Sequence, residues 1–348
     1  MTDTKNLAYI SKVVQLRPIP KKDLIELAVV KGWMCIVKKG EFKIGDLAVY
    51  LAIGCVPDFE DPHFAFLKQK GFNRIKTVKM GGVISQGLLG PMSWLTDRGV
   101  TDITSFKEGD DVAELMGVTK FIPLEESDQY DKSSVNTRKD FPHYVPKTDA
   151  IRLQHDPDEF LSRIKDREVT ITRKEDGCSC TIIYNSGQYM LCGRNYVWND
   201  SDRASNGHYF RIQDQFDLVS KMTALGRNLA IQGEICGPKI NGNRLKLTEI
   251  TFSVFDIYDI DAHQYLPYDD LVSLCTELGL VSVPLVYRGP ASELDLSVEG
   301  FLKLADSVEY SEGLPAEGIV VKADALYPEL YRVHFKAISN NYIIKHDL

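Results

Sequence analysis

The stretch that decides the fold of the second half of the chain is "ITRKEDGCSC", residues 171–180. An alternating apolar run ends at Lys174, and two acids and a glycine follow at once. The alternation predicts a half-buried strand, and the "EDG" turn predicts a connection to a second strand. A lysine in this position is typical of an exposed hairpin tip and also of an enzymatic nucleophile, and these ten residues leave both interpretations open.

Around this stretch, from about residue 150 onward, predicted strands and helices are mixed. "NSG" at 185–187 separates two strand-like runs and predicts a hairpin. The segment 209–226 predicts an amphipathic helix capped by Gly226, and the segment 267–279 predicts another helix that ends at Gly279. We therefore expect an α+β domain over residues 151–348, with antiparallel sheets and flanking helices.

The first part of the chain has a different texture. Residues 1–117 read as short strands separated by turn signals, which predicts a small all-β barrel or sandwich. The segment 124–146 is polar and offers little that could fill a core, so residues 118–150 are expected to form a linker.

The composition narrows the class of protein. A chain of 348 residues favours two domains, and its seven cysteines form no CxxC pair, which argues against a disulfide framework and a zinc site. There is no long apolar run and no basic-then-apolar leader at the start of the sequence, so we expect a cytoplasmic protein without a membrane partner.

One basic stretch stands out against the formal net charge of −8. Residues 63–79 carry no acid, and three phenylalanines are interleaved with the cations. Basic groups for phosphates and rings for bases favour a nucleic-acid surface, whereas the alternative is a solvated hairpin whose phenylalanines belong to the core. The predicted RNA-binding residues in this stretch are Lys68, Lys70, Arg74 and Lys76.

Several common catalytic motifs are absent from the sequence. It contains no Walker A pattern, no GxGxxG after a strand, no HExxH and no GxSxG. What it does contain is an ordered series downstream of Lys174, in strand-like settings: Arg194 in "LCGRN", Glu234 in "IQGEICG", Phe255 and Asp256 in "SVFDIY", Glu317 and Lys322 in "AEGIVVK", and Lys336 in "VHFKAIS".

This ordered series resembles the motifs of the covalent nucleotidyltransferase superfamily of ATP-dependent ligases and capping enzymes. The chain is more closely similar to the RNA-ligase-2-like family, in the branch with an N-terminal OB-type domain. The similarity to that branch extends to "FPHYVPKTDAIRLQ" before the lysine, "GEICGPKINGN" after the glutamate and "GEFKIGDLAVY" in the first domain.

The resemblance implies that Lys174 is the nucleophile that becomes a lysyl-adenylate. An attacking lysine must be neutral, which costs about 4 kcal/mol at neutral pH from its ordinary pKa, and neighbouring cations lower that cost. Lys322, Lys336 and a bound Mg²⁺ or Mn²⁺ would supply this positive field. Asp176 and Glu317 would hold the metal ion through water.

The resemblance also implies how ATP is held. Glu234 would accept the ribose hydroxyls, Phe255 would stack on adenine unless it is simply a core residue, and Arg194 would bind the ribose and the RNA 5′-phosphate. Lys147 and Arg152 are expected only to lie near substrate or nucleotide.

One position departs from the superfamily pattern. Its last motif usually has two lysines one residue apart, whereas His334 stands at the first position here. Either His334 serves in part, or Lys322 or Lys345 substitutes, or Lys336 suffices.

The activity implied is ATP-dependent RNA ligation in three steps, by a monomer that seals nicks in duplex RNA as a repair enzyme. A DNA ligase or capping enzyme is an alternative, but those enzymes place an OB domain after the last motif, and 12 residues follow Lys336 here. The other alternative is a catalytically inactive RNA-binding homologue, toward which only His334 points.

Overall fold

The structure is a computed structural model that describes residues 7–121, 139–323 and 332–347. Most of the predicted linker core at 124–146 lies outside these ranges. The described residues form two compact units. The first holds residues 7–121, 153–158 and 343–347, and the second holds 139–152, 159–323 and 332–342. No helix in these ranges combines the length and apolar character that a membrane crossing requires.

The first unit is built on a five-stranded antiparallel sheet in the order β3-β2-β1-β4-β8. Its two faces are covered by separate clusters of buried apolar residues, as expected for a curled all-β domain. The strands are β1 (Ala8–Pro18), β2 (Ile25–Val30), β3 (Trp33–Lys38), β4 (Leu47–Leu51), β5 (Cys55–Val56), β6 (Thr77–Met80), β7 (Val83–Gln86), β8 (Leu88–Pro91) and β9 (Thr119–Lys120), and the helices are α1 (Ala65–Gln69) and α2 (Ser93–Thr96).

The basic stretch 63–79 is not a hairpin. It contains helix α1 and the start of strand β6, so the hairpin interpretation is wrong. Phe64 is fully buried, whereas the Phe66 side chain on α1 is 39% exposed. The stretch therefore combines core and surface rings.

The second unit contains two larger sheets with helices packed on them. The elements from residue 139 onward are β10 (Lys139–Asp140), β11 (Ile151–Arg152), α3 (Pro157–Ile164), β12 (Glu168–Lys174), β13 (Cys178–Asn185), β14 (Gln188–Cys192), β15 (Tyr196–Trp198), α4 (Gly207–Gln215), α5 (Leu218–Leu225), β16 (Leu229–Cys236), β17 (Thr251–Asp259), β18 (Gln264–Tyr265), α6 (Tyr268–Leu278), β19 (Val281–Ser282), β20 (Leu285–Pro290), α7 (Val298–Asp306), β21 (Glu309–Ser311), β22 (Leu314–Pro315), β23 (Gly318–Ala323), β24 (Val333–Ile338) and α8 (Asn340–His346).

The larger sheet has the strand order β10-β15-β14-β13-β16-β17-β18, with β19 added in parallel to β17. The smaller sheet has the order β11-β24-β23-β12-β20. Strands β12 and β13 lie in different sheets, so the "EDG" segment between them is a crossover and not a hairpin tip. The exposed-hairpin interpretation of Lys174 is therefore wrong, because the lysine ends a central strand of the smaller sheet.

The predicted hairpin at "NSG" is confirmed, since β13 and β14 pair antiparallel around Ser186 and Gly187, both at positive φ. The predicted helix over 209–226 is two helices, because Asp217 adopts the left-handed conformation between α4 and α5. Gly226 and Gly279 are left-handed caps, as predicted. The mixed α+β class is confirmed.

Candidate active site

The register of the smaller sheet places the predicted cations on one face. Lys174 lies opposite Gly318, Lys322 lies opposite His334, and Val320 lies opposite Lys336. Side chains of directly opposed residues share a face, and alternate residues along a strand point the same way. The other face is buried core, formed by Val169, Ile171, Ile319, Val321, Phe335 and Ala337. The alternation of β12, β23 and β24 therefore brings Lys174, Lys322, His334 and Lys336 to one surface.

Lys174 forms an ion pair with Glu317, whose Oε2 lies 2.6 Å from the lysine Nζ. Glu317 directly precedes β23, so the pairing of Lys174 with Gly318 brings the two together. Burial by itself lowers the pKa of Lys174, but the carboxylates of Glu317, Glu234 and Asp176 outweigh it and raise this pKa above its ordinary value. Lys174 is therefore an ammonium in this state.

Glu234 lies on β16 in the larger sheet and accepts a hydrogen bond from the Gly177 N–H at 3.1 Å. Gly177 must be a glycine, because a Cβ there would lie 2.2 Å from the carbonyl oxygen of Ile235. Burial, supported by the Glu317 charge, raises the pKa of Glu234 to about 7. The ionised form of such a buried carboxylate is stabilised by any hydrogen-bond donor or cation that binds it.

Asp176 is already engaged by three donors. Its Oδ2 accepts a hydrogen bond from Arg244 at 2.7 Å and another from the Tyr342 hydroxyl. Asn241 donates to Oδ1 at 3.2 Å. Because both oxygens already have partners, these contacts favour the predicted water-mediated arrangement over direct metal ligation.

Lys322 is buried and paired with Asp256 at 3.0 Å, and it also donates to the carbonyl oxygen of Phe255. The Arg332 guanidinium donates one hydrogen bond to each carboxylate oxygen of Asp256, at 2.6 and 2.8 Å. Burial by itself raises the pKa of Asp256, but the two cations outweigh it and lower this pKa to about 2.

Phe255 follows an irregularity in the pairing of β16 with β17. Gln232 pairs with Asp256, and Gly233 then pairs with Val254, which leaves Phe255 as the extra residue. Bulges of this kind redirect a side chain, and Phe255 is partly exposed between buried neighbours. Its position is compatible with a ring that a flat ligand can reach.

Lys336 and His334 differ in charge on the same face. Burial first, then the Lys174 and Arg152 charges, lower the pKa of Lys336 to about 8, so it is mostly cationic at neutral pH. Burial, followed by the Arg332 charge, lowers the pKa of His334 below its ordinary value. His334 is therefore a neutral imidazole at neutral pH and adds no positive charge where the superfamily pattern has a lysine.

The remaining predicted residues lie at different distances from this face. Arg152 pairs in parallel register with Lys336. Arg194 is exposed and forms an ion pair with Asp149 at 2.8 Å, and Lys147 donates to Asn195 at 3.0 Å. An incoming phosphate would have to compete with Asp149 for Arg194.

In the first unit, most of the predicted RNA-binding cations have partners within the protein. Lys68 is paired with Glu60, while Arg74 and Lys76 both bind Asp347. Lys70 is the exception among the described contacts: its Nζ lies over the Phe66 ring, 5.7 Å from the centroid, without a carboxylate partner.

No cluster of three or more histidine, cysteine or acidic side chains close enough to hold a metal ion is found in residues 7–121, 139–323 and 332–347. The carboxylates of Glu317, Glu234 and Asp176 nevertheless converge electrostatically on Lys174. Carboxylate oxygens suit a hydrated Mg²⁺ or Mn²⁺, so Asp176 and Glu317, the two predicted metal residues, fit a divalent cation held largely through water.

Sequence reasoning missed four residues that hold this site together. Tyr310, Tyr342, Arg244 and Arg332 each bind a catalytic candidate or the carboxylate beside one. Arg244 directly follows "GEICGPKINGN", which was the one available signal. The tyrosines lie outside every motif of the series.

Comparisons with known proteins find matches to both parts of the chain. A family profile described as RNA ligase matches residues 167–338, and an OB-fold domain profile matches residues 7–92. A comparison with curated proteins finds no match.

Among solved structures, an RNA ligase of Naegleria gruberi with PPi is 32% identical, with a TM-score of 0.80 and 98% of each chain covered. A mutant of that ligase with ATP and Mn is also 32% identical, with a TM-score of 0.81, covering 98% of this chain and 99% of that one. Another mutant, with AMP and Mn, is 31% identical with a TM-score of 0.80, covering 98% of this chain and 99% of that one.

The fold and the lysine-carboxylate site define a nucleotidyltransferase-type ligase preceded by an OB-fold domain, and the chain belongs to the RNA ligase family. It is an RNA ligase, as the motif series predicted. Nothing in these comparisons supports the DNA-ligase or capping alternative, or the inactive homologue.

Proposed function

We propose that this RNA ligase uses ATP and works through Lys174 in three steps. Lys174 Nζ attacks the α-phosphorus of ATP and pyrophosphate leaves; the AMP then passes to an RNA 5′-phosphate; a 3′-hydroxyl attacks that phosphate and AMP leaves. The observation that carries the proposal is the 2.6 Å ion pair between Lys174 and Glu317 on a face shared with Lys336. The Naegleria structures with ATP, AMP and PPi support the same donor.

The main barrier to the first step is the proton on Lys174. The three surrounding carboxylates keep it bound, so Lys174 must lose both the proton and its contact with Glu317 before it can attack. Glu317 and Asp176 would hold a divalent cation through water, and its charge would replace that of the ammonium and neutralise phosphate oxygens. Lys336, cationic on the same face, would bind the α-phosphate.

The remaining residues would bind the nucleotide. The partly exposed Phe255 ring would lie against adenine, and Glu234, which accepts one backbone N–H, would take the ribose hydroxyls. Lys322 is held by Asp256, so its contribution would be a fixed charge beside the nucleotide and not a mobile one. Arg194 would exchange Asp149 for the ribose and the RNA 5′-phosphate.

We infer that Lys336, and not His334, supplies the positive charge of the last motif, because burial and the Arg332 charge lower the pKa of His334. Lys322 is paired with Asp256, whereas Lys336 lies on the face that carries Lys174 and would meet phosphate there. His334→Lys should then leave the rate of adenylylation close to that of the wild type, and Lys336→Ala should abolish adenylylation.

For the polynucleotide, we infer a preference for nicked duplex RNA and a role in RNA repair. Lys70 and the exposed Phe66 ring, together on α1, are the best candidates for RNA contact within the basic stretch. None of the seven cysteines, all within the described residues, forms a disulfide, which is compatible with a reducing, cytoplasmic setting. We expect a monomer, which light scattering at several concentrations can check.

The test begins with α-labelled ATP and Mn²⁺ or Mg²⁺, followed by denaturation. Wild type and a Lys165→Ala control, altered at an exposed lysine, should carry label, and Lys174→Ala should not. Label on Lys174→Ala would refute the mechanism. Sealing of a nicked RNA duplex should exceed sealing of a nicked DNA duplex and of single-stranded RNA; the reverse order would refute the substrate assignment alone.

A further inference from the structure

Two tyrosines outside the motif series donate hydrogen bonds to residues of the candidate active site. Tyr310 lies on β21 and Tyr342 lies on α8. Their rings meet edge to face, with centroids 6.4 Å apart and an interplanar angle of 85°. Both belong to the second unit, as do all their partners described below.

The Tyr310 hydroxyl joins the backbone of the nucleophile to that of its carboxylate partner. It donates to the Lys174 carbonyl oxygen at 3.1 Å and accepts the Glu317 N–H at 3.2 Å. Lys174 and Gly318 form the last pair of the β12–β23 ladder. The hydroxyl therefore acts as one further rung, at the point where direct backbone pairing stops.

The Tyr310 ring is itself fixed. The Arg173 guanidinium lies over it, 5.1 Å from the ring centroid, and donates to the carbonyl oxygen of Glu309 at 3.1 Å. Arg173 also binds Glu175 at 2.8 Å. Arg173 and Lys174 thus contact Tyr310 directly, and Glu175 is connected to it through Arg173.

The Tyr342 hydroxyl fixes the other acid of the motif. It donates to Asp176 Oδ2, the oxygen that Arg244 also binds. Tyr342 is fully buried, so this donor cannot turn toward water.

We propose that Tyr310 and Tyr342 are positioning residues for lysine adenylylation: Tyr310 sets the separation of Lys174 from Glu317, and Tyr342 sets the orientation of the Asp176 carboxylate. This inference rests on the proposed role of Lys174. Both hydroxyls bind groups of the protein. Their effect is transmitted through groups that must be placed to within a fraction of an ångström for attack on phosphorus.

The test compares Tyr310→Phe and Tyr342→Phe, which keep the rings and remove one hydroxyl each. Tyr287→Phe is the matched control, because its hydroxyl bonds to Pro290 and Glu293 on β20 and its neighbouring turn. For each variant, the fraction of active enzyme is counted from end-point AMP incorporation. The rate of adenylate formation is then measured against ATP and MnCl₂ concentration, and the melting temperature is recorded.

Tyr310→Phe should lower kcat about 10-fold with an unchanged KM for ATP, since both hydrogen bonds that join the backbones of Lys174 and Glu317 are lost. Tyr342→Phe should raise the half-saturating Mn²⁺ concentration about 5-fold, because Asp176 loses one of its orienting donors. Tyr287→Phe should match wild type in both constants.

A lower melting temperature with unchanged constants per active enzyme would overturn the proposal, since a purely structural role predicts that result. An effect on one tyrosine only would overturn the assignment of the other. The same AMP-incorporation assay also tests the proposed function. That function would be refuted if the wild type carried no label or if Lys174→Ala carried label.

Discussion

Replacing Glu317 by glutamine should make the Lys174 amine react faster with an acetylating reagent while adenylylation of the same lysine becomes slower. The substitution keeps the shape of the side chain and removes the negative charge 2.6 Å from Lys174 Nζ. Glu317 is the carboxylate that contributes most to raising the pKa of Lys174, and burial, which lowers this pKa, remains. The pKa of Lys174 should therefore fall in Glu317→Gln.

The magnitude follows from the contact. A hydrogen bond to a charged group contributes about 1.5–3 kcal/mol, and about 1.4 kcal/mol corresponds to a tenfold change in the neutral fraction. Below its pKa, the neutral fraction of Lys174 should thus rise about 10- to 100-fold in the variant. Adenylylation should fall at the same time, because Glu317 is also a candidate metal partner.

The assay is competitive acetylation of the metal-free protein at pH 8, with the Lys174 peptide quantified by mass spectrometry. Lys165, whose side chain is 61% exposed, is the internal reference. Acetylation of Lys174 in Glu317→Gln no faster than in wild type, relative to Lys165, would refute the view that this pair keeps the nucleophile protonated.

Three further outcomes follow. Asp256→Asn should lower the free energy of unfolding by about 3 kcal/mol, since two buried cations lose their partner. Because the pKa of Asp256 is lowered to about 2, the wild-type protein should remain more stable than the variant above pH 4, and this difference should disappear as the pH falls toward 2. Gly318→Ala should unfold more easily and adenylylate poorly, because φ is 151° and a Cβ would lie 2.1 Å from the Ala337 carbonyl oxygen. Phe66→Ala with Lys70→Ala should weaken RNA binding and reduce its salt dependence.

Chemical denaturation, adenylate formation and fluorescence anisotropy with RNA measure these three outcomes in turn. Asp269→Asn, at an exposed ion pair with Arg288, is the control for Asp256→Asn and should change stability little. Unchanged stability of Asp256→Asn, full activity of Gly318→Ala, or unchanged RNA affinity of the double variant would each contradict its prediction.

The sequence predicted the chemistry of the site better than its geometry. Lys174, Glu317 and Lys336 are far apart in the chain, and only their order in strand-like runs pointed to a common function. The registers of β12, β23 and β24 then place them on one face. Because strand alternation is visible in a sequence but strand pairing is not, a side chain's face could be inferred and its partner could not.

Three other features depend on tertiary contacts that leave no local pattern. The crossover at residues 175–177 resembles a hairpin turn in sequence, and only the partners of β12 and β13 distinguish the two. The break between α4 and α5 arises at Asp217, inside a run that continues the helical period. Tyr310 and Tyr342 act through single hydroxyls, and isolated tyrosines carry no signal of that kind.

We propose that Lys174 carries AMP during ligation. The decisive measurement is tandem mass spectrometry of the wild-type protein. The protein is incubated with ATP and MnCl₂ and then digested before the peptides are examined. One AMP attached through a phosphoramide bond to Lys174, and removed when pyrophosphate is added, is the predicted result. AMP on another residue, or none in a preparation that seals RNA, would contradict it.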